Sequence, residues 1–325
     1  MITIPIQVSG DIWGNPDNVK QLLDQTQPGQ QVTLDLFSEG PSLRQFGIVD
    51  LISAYNLDVA VTRWANSVEE VPYHRVSCNK NSHFFPMCHH YWQDEVPTVI
   101  PAEYRFGLFQ GRGCPSRNRI MHDAVTLWSE HFLLSKMRDL RGDPWGYRQP
   151  DHSKRLESMS DWFADVDYAR NWLDNCSITS IDNCHIQDQY GIPEVSAGKV
   201  ATSLLQHYPR FNVELICETY TLGDTFFPTE KTVRPLVGER PFIVYGSRNY
   251  LANLQQSGYR TFASLWDESY DRLEGVERWA AMTQLINHLV ALPASEWQHI
   301  ITQSIEITKH NKAVLGKNVR DFKSI

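Results

Sequence analysis

The sequence contains no long apolar run. Nowhere in its 325 residues do about 18 apolar side chains follow one another, the length that a membrane-crossing helix requires. Residues 1–6 also lack the basic region and the long apolar segment of a secretory signal. We therefore expect a cytoplasmic protein without a membrane span.

Cysteines are few and show no paired spacing. None of the six cysteines has a second one at the CxxC distance that is typical of redox and zinc sites. Cys88 precedes His89 and Cys184 precedes His185, but neighbouring residues on a strand point to opposite faces and rarely share a metal. We expect reduced thiols and no metal centre.

An excess of positive charge is also absent. Lys and Arg number 30 against 38 Asp and Glu, so the net charge is −8, which disfavours non-specific binding to nucleic acid over the whole surface. A local basic cleft remains compatible with this total. Hydrophobic residues make up 42% of the chain, and its length exceeds what one core usually fills, which predicts two domains.

Strand and helix patterns alternate in the first part of the chain. Apolar strand patterns cover residues 2–8, 31–36 and 57–61, and helical patterns cover residues 17–23 and 43–52. This order is typical of βαβ units and predicts an α/β fold with parallel strands.

The pattern is interrupted near residue 100, where Pro97 and Pro101 precede a new strand. We place a domain boundary there, with an N-terminal α/β domain over residues 1–101 and a C-terminal α/β domain over residues 102–325. The elements expected in the second domain are strands at 104–109, 213–217 and 240–246, helices at 120–140 and 247–258, and a helical tail from 271 to 312.

A glycine-rich basic loop follows the strand at 104–109. It contains Gly111, Arg112 and Gly113, and Arg117 and Arg119 follow at the start of the next helix. Glycines allow a ligand close to the backbone, helix N-termini offer free N–H groups, and arginine matches phosphate oxygens. The segment is a candidate phosphate-binding loop, and a solvated basic turn is the competing interpretation.

A second candidate segment contains Glu218 and the run Thr229-Glu230-Lys231-Thr232. A carboxylate can hold ribose hydroxyls while a nearby ammonium neutralises a diphosphate, and both threonines are suited to cap a helix. From the residues alone, a capped surface helix explains the run equally well.

The same residues carry a resemblance to known enzymes. Glu218, residues 227–235 (FPTEKTVRP) and residues 240–246 (RPFIVYG) resemble the donor-site signature of fucosyltransferase-like and exostosin-like glycosyltransferases. The loop over residues 106–119 is similar to the first donor-domain loop of such enzymes, and residues 266–271 are similar to a segment that accompanies their Thr-Glu-Lys motif. The resemblance implies a GT-B fold, with two Rossmann-like domains facing a cleft.

The resemblance also implies roles for individual residues. Glu230 would contact the ribose of a UDP or GDP sugar, Lys231 and Arg112 or Arg117 would contact its diphosphate, and Glu218 would lie near the sugar. Because Arg and Lys can stabilise the departing diphosphate, we expect no metal and no further cofactor. The residues after Glu218 and Lys231 differ from the fucosyltransferase pattern, so the sugar and the base stay open.

A candidate for the base that activates the acceptor hydroxyl lies after an N-terminal strand. Glu39 follows the strand at 31–36 and would face the cleft, where an attacking hydroxyl must lose its proton. A turn acid at a helix N-terminus is the competing interpretation of Glu39. Asp11 and Glu69 are weaker candidates for the base, and His83 is more simply a structural histidine.

These observations predict a glycosyltransferase that acts on a glycan or another small hydroxyl acceptor. One alternative keeps the fold and acts on a modified base in DNA, as a phage-type enzyme would, with Arg63, Arg75 and Lys80 lining a groove. Another alternative is a nucleotide-sugar-binding protein without catalytic activity.

Overall fold

The structure is a computed structural model, and it describes residues 2–9, 12–36, 40–66, 68–76, 102–111, 113–136, 159–178 and 204–323. Parallel sheets and α-helices together confirm the predicted α/β class. None of the helices in these ranges combines the length and the apolar character that crossing a bilayer would need.

The first 76 residues contribute what we call the N-terminal unit. Its strands are β1 Ile2–Pro5, β2 Val8–Ser9, β3 Ile12–Trp13, β4 Gln31–Asp35, β5 Asp58–Thr62 and β6 His74–Val76, and its helices are α1 Pro16–Leu23 and α2 Ile48–Ser53. Strands β1, β4, β5 and β6 are parallel and adjacent in that order, while β2 and β3 form a short antiparallel pair. Alternate residues of β4 and β5, such as Val32, Leu34 and Val61, are fully buried in one core.

The remaining elements make up the C-terminal unit. Its strands are β7 Tyr104–Gln110, β8 Phe132–Lys136, β9 Phe211–Cys217 and β10 Phe242–Tyr245. Its helices are α3 Pro115–Trp128, α4 Val166–Asn175, α5 Glu230–Val237, α6 Tyr250–Gln256, α7 Gly275–Ala291 and α8 Ala294–Lys323. Every residue of β9 and β10 is buried, as expected for strands covered on both faces.

Strand order in the C-terminal unit defines where a ligand can bind. All four strands are parallel, and their spatial order is β10, β9, β7, β8. The chain therefore moves from β7 to one side to form β8 and returns to the other side to form β9. Parallel sheets of this kind bind ligands at the carboxyl ends of the two strands between which the direction reverses, and here those strands are β7 and β9.

Most of the predicted elements are confirmed within two or three residues, but the helix expected over residues 120–140 is wrong. Helix α3 ends at Trp128, a 3₁₀ turn follows at Ser129–His131, and the chain then enters β8. In the sequence, the apolar residues Phe132, Leu133 and Leu134 look like a continuation of the preceding helix. In the structure they pair with β7 and are buried or half-buried in the core.

The two units contact each other through loops at the carboxyl ends of their strands. Asn66 Nδ2, after β5, donates a hydrogen bond of 2.8 Å to the carbonyl of Asp224, after β9. Gly40 and Gly223 allow close approach at this contact: a Cβ on Gly40 would lie 2.7 Å from the Phe227 ring, and one on Gly223 would lie 2.7 Å from Ser42 Oγ. The carboxyl ends of strands in both units therefore face a common region.

This contact predicts the cost of a methyl group at residue 223. Gly223 and Gly29 both have positive φ, 68° and 75°, but a Cβ on Gly29 would have no atom within 4 Å. Both G223A and G29A should incur the backbone penalty of roughly 1 kcal/mol, and G223A should cost a further ~1–3 kcal/mol because Ser42 must shift. Thermal unfolding of both variants measures the difference, and equal stabilities would show that the two units do not touch at Gly223.

Candidate functional site

The candidate site lies at the crevice between the carboxyl ends of β7 and β9. The last residue of β7 is Gln110, and the glycine loop that begins at Gly111 leads from it to Pro115, the first residue of α3. The last residue of β9 is Cys217, and Glu218 follows it directly. Both segments that the sequence singled out for phosphate binding therefore begin at the reversal point of the sheet.

Glu218 forms the centre of this site. Its carboxylate is fully buried and accepts five hydrogen bonds from protein donors. Oε1 binds Thr229 N at 3.1 Å, Thr232 Oγ1 at 2.6 Å and Tyr250 OH at 3.0 Å. Oε2 binds Thr229 Oγ1 at 2.6 Å and Thr219 N at 3.2 Å. Glu218 therefore holds the surrounding backbone in place, and no face of its carboxylate is open to a ligand.

The two threonines of the Thr-Glu-Lys run have different roles. Thr229 caps α5, as predicted, because its hydroxyl accepts a hydrogen bond from Lys231 N at 3.3 Å. Thr232 lies within the helix and does not cap it; its hydroxyl points inward to Glu218. The expectation that Thr232 caps the helix is wrong, because its hydroxyl donates a hydrogen bond to the buried Glu218 carboxylate instead.

Lys231 lies at the mouth of the site with its side chain 12% exposed. Its Nζ contacts Thr219 Oγ1 and Thr229 Oγ1, both at 3.1 Å, and Glu230 Oε1 at 2.8 Å. Burial raises the pKa of Glu230, but the adjacent Lys231 ammonium and the Arg234 guanidinium outweigh it and lower that pKa to about 2. The Glu230 carboxyl is therefore ionised at neutral pH, and an anion bound to Lys231 would replace one of the three partners of its Nζ.

Arg117 connects the two segments across the crevice. It lies in the first turn of α3, and its Nη2 donates a hydrogen bond of 2.7 Å to the Glu218 carbonyl. Gln110 Nε2 in turn donates to the Arg117 carbonyl at 2.5 Å. Arg117 and Lys231 thus contact adjacent residues, 218 and 219, although they are far apart in the sequence. The structure therefore brings two of the predicted donor-site cations to neighbouring residues of the chain.

The other predicted residues are either outside the described part of the chain or placed elsewhere in the N-terminal unit. Arg112, Glu39, Asp11 and His83 lie outside the described residues. Glu69, the described candidate for the base, is buried and accepts hydrogen bonds from Ser42 Oγ at 2.7 Å, Leu43 N at 2.8 Å and Arg44 N at 3.0 Å. Glu69 therefore holds the turn that precedes α2.

Lys136 is a cation that the sequence did not reveal as a site residue. It ends β8, pairs in register with Gln110 and is buried, with its Nζ 6.0 Å from the centre of the Trp172 ring. Residue 136 falls within the helix expected from the sequence, so its position at the carboxyl edge of the sheet could not be recognised. A strand assignment for residues 132–136 would have placed it beside the candidate loop.

A second buried polar cluster stabilises the strand beneath the site. Glu214, in β9, accepts hydrogen bonds from Arg234 Nη2 at 2.6 Å and from Tyr208 OH. Burial raises the pKa of Glu214, and the charge of Arg234 opposes this shift. The buried pair ties α5 to the sheet, so that Thr229 and Lys231 begin a helix whose other end is fixed.

The segment over residues 266–271 supports the site from the side of β10. The Asp271 carboxylate accepts hydrogen bonds from Leu251 N at 3.0 Å and Ala252 N at 3.2 Å, which caps α6. Arg278 is fully buried and donates to Asp271 Oδ1 at 3.1 Å and to the Ser247 carbonyl at 3.0 Å. These contacts fix α6, which carries Tyr250 to Glu218.

Within the described ranges, no group of three or more His, Cys, Asp or Glu side chains is arranged to hold a metal ion. The expectation of a metal-free reaction assumed that the sequence has no Asp-x-Asp motif, and this is wrong, because Asp165 and Asp167 form one. Asp165 caps α4 by accepting from Tyr168 N at 2.8 Å, and Asp167 lies 3.6 Å from Arg170. Cys114, Cys176 and Cys217 are buried, and none of these three described cysteines forms a disulfide.

Comparisons of the sequence with protein-family models and with curated proteins give no match. The geometry of the crevice therefore carries the functional argument.

The five hydrogen bonds to Glu218 predict that replacing its carboxylate with an amide lowers the stability of the protein strongly. In E218Q, the amide nitrogen would face a donor at either oxygen position, and the buried negative charge would be lost. Unfolding free energy should fall by roughly 2–4 kcal/mol. Glu103 pairs with Arg210 on the surface, 2.9 Å apart, so E103Q should cost less than ~1 kcal/mol. Denaturant titration of both variants tests this, and an equally small effect in E218Q would contradict the buried network.

The Glu230–Lys231 pair predicts a pH effect. Removing the ammonium in K231M leaves burial as the main influence, so the pKa of Glu230 should rise from about 2 towards or above its ordinary value of 4.5. In wild type, the lowered pKa of Glu230 stabilises the folded state above pH 4.5, and this stabilisation should be lost as the pH falls towards 2. K231M should lack this pH-dependent stabilisation. Carboxyl NMR titration measures the shift. A pKa near 2 in K231M would mean that another group holds the charge.

Proposed function

We propose that the protein is a glycosyltransferase that transfers a sugar from a nucleoside-diphosphate sugar to a hydroxyl acceptor. The observation that carries this proposal is the meeting of Arg117 and Lys231 at residues 218 and 219, at the reversal point of a parallel sheet. Two cations beside a helix N-terminus suit a diphosphate in both charge and geometry. Glu230 beside Lys231 supplies a carboxylate for ribose hydroxyls.

The proposed reaction is a direct displacement at the anomeric carbon. The acceptor oxygen forms the new glycosidic bond while the bond to the diphosphate breaks, and the acceptor proton passes to a carboxylate, for which Glu39 remains the candidate. Arg117 and Lys231 stabilise the charge on the departing diphosphate. Glu218 acts through the backbone that it holds. The facing strand ends of the two units support a GT-B arrangement, with the acceptor bound by the N-terminal unit.

The contacts of the N-terminal unit favour a small acceptor over DNA. Arg63 forms a two-bond ion pair with Asp35, and Arg75 donates to the carbonyls of Asn66 and Glu69. These two arginines were the described cations expected to line a DNA groove, and both take part in contacts within the unit. A glycan or another small hydroxyl compound is therefore the acceptor that we propose.

Calorimetry with UDP and GDP tests the donor site. Wild type should bind at least one of them, and K231M should weaken that binding about tenfold or more, because a charge-assisted contact to phosphate is lost. K312M is the matched control. Lys312 lies 2.8 Å from Glu239, with exposures of 12% and 24%, against 2.8 Å, 12% and 25% for Lys231 and Glu230. Binding in K312M should stay within about twofold of wild type.

Donor hydrolysis by wild type and E39Q separates the proposed enzyme from a binding protein. Turnover in wild type that is lost in E39Q, with nucleotide binding intact, is the expected result. Nucleotide binding without any turnover would favour the non-catalytic alternative. If neither UDP nor GDP bound, the proposed function would be wrong.

A further inference from the structure

Residues 219–228, which we call the bridging segment, connect the candidate site to the N-terminal unit. The segment leaves β9 after Glu218 and returns to the site at Thr229, so the Glu218 carboxylate contacts its first residue through Thr219 N and the residue that follows it through Thr229 N. Lys231 Nζ also contacts its first residue, through Thr219 Oγ1 at 3.1 Å. The position of Thr219, and with it one wall of the site, depends on how the segment is held.

The C-terminal unit also holds the bridging segment through residues that follow β10, including Arg248, whose Nη2 donates to Asp224 Oδ1 at 3.0 Å. Ser247, at the end of β10, is fully buried, and its hydroxyl donates to the Thr225 carbonyl. The backbone of Ser247 is itself fixed by Arg278, whose Nη1 donates to the Ser247 carbonyl at 3.0 Å. The second half of the segment is therefore anchored at Thr225 to the residues that follow β10.

The middle of the bridging segment rests on the N-terminal unit. Asn66 Nδ2 donates to the Asp224 carbonyl at 2.8 Å, and Tyr220 OH donates to the Val8 carbonyl at 3.4 Å. Gly223 approaches Ser42 too closely for a side chain. Of the two hydrogen bonds, the one from Asn66 is the shorter and has a buried donor that is 1% exposed.

Asn66 is itself held firmly within the N-terminal unit. Its Oδ1 accepts hydrogen bonds from Val68 N at 3.1 Å and Glu69 N at 3.3 Å, and its carbonyl accepts one from Arg75 Nη1 at 2.7 Å. These contacts fix the orientation of the side-chain amide. Its Nδ2 is thereby directed to the bridging segment, so that a residue held within one unit contacts a segment of the other.

We propose that Asn66 is a positioning residue for the anion-binding site at Thr219 and Lys231, acting through the bridging segment. Docking of the N-terminal unit and binding of the diphosphate are therefore linked, and each strengthens the other. The inference rests on the proposed function for the identity of the ligand. The positioning of the bridging segment by Asn66 can also be tested without any ligand.

A single-atom change isolates the contact. In N66D, an Oδ1 still accepts from Val68 N and Glu69 N, but an oxygen replaces the donor that faces the Asp224 carbonyl. N311D is the matched control. Asn311 is also 1% exposed, and it donates from Nδ2 to the Arg260 carbonyl at 2.8 Å and accepts from Arg260 N at 2.7 Å. Both variants lose one buried bond and gain one charge, but Asn311 lies on α8, and its two bonds are to Arg260.

Calorimetry with inorganic pyrophosphate and with UDP or GDP is the first measurement. N66D should weaken binding by roughly tenfold, the effect of one buried hydrogen bond that is replaced by a repulsive contact. N311D should bind within about twofold of wild type, even if its thermal stability falls. Conversely, pyrophosphate should slow hydrogen exchange around Asn66 in wild type, because linkage acts equally in both directions.

Hydrogen–deuterium exchange without ligand is the second measurement. The amides of Thr219, Thr229 and Lys231 all bond within the site. They should exchange roughly fivefold or more faster in N66D than in wild type, and at wild-type rates in N311D.

The outcomes separate the two proposals. Unchanged hydrogen exchange in N66D, or equally faster exchange in N66D and N311D, would overturn the positioning role of Asn66, whether or not the protein binds a nucleotide. If wild type bound neither pyrophosphate nor UDP nor GDP, the proposed function would fall, and the exchange measurement would still decide the role of Asn66. Equally tight binding in N66D and wild type would overturn the linkage between docking of the N-terminal unit and diphosphate binding. The proposed donor site would then still be supported.

Discussion

The buried carboxylate of Glu218 is the interaction on which the rest of the site depends. A carboxylate removed from water is costly unless donors surround it, and here five donors from the loop after β9, α5 and α6 do so. Each donor must occupy one position for the charge to be tolerated. The carboxylate therefore specifies how these three elements meet, and Lys231 and Thr219 take their positions from it. Its chemical contribution is indirect, since the groups that it arranges are the ones able to meet a ligand.

The sequence predicted much of the fold, because the strands of the C-terminal unit are apolar, short and bounded by clear breaks. Strand β9 and the capping of α5 by Thr229 both follow from local sequence pattern. The error at β8 has a local cause, because three apolar residues after a helix look like its continuation. It concealed Lys136, whose position at the sheet edge depends on pairing with β7.

Other features could not be read from the sequence, because they depend on contacts between distant residues. Glu218 looked like a ligand-binding acid, since nothing local shows that Tyr250 and Thr232 will enclose it. Asn66 had no distinguishing motif, and its partner Asp224 belongs to the other unit. Gly223 shows the same limitation: glycine is common in turns, and the sequence does not show that Ser42 also leaves no room for a side chain there. Burial and partner identity are properties of the assembled fold.

The central place of β7 in its sheet has a consequence for synthesis of the chain on the ribosome. β7 is the first strand of that sheet to emerge, and β8 can pair with it as soon as residue 136 is available. The opposite edge of β7 must wait for β9, and the enclosure of Glu218 must wait for Tyr250. Contacts between distant segments form late because closing a long loop costs entropy. A nascent chain that ends before residue 250 therefore carries Arg117 and Lys231 without the complete set of hydrogen bonds that orders them, and gains a finished crevice only when α6 has been made.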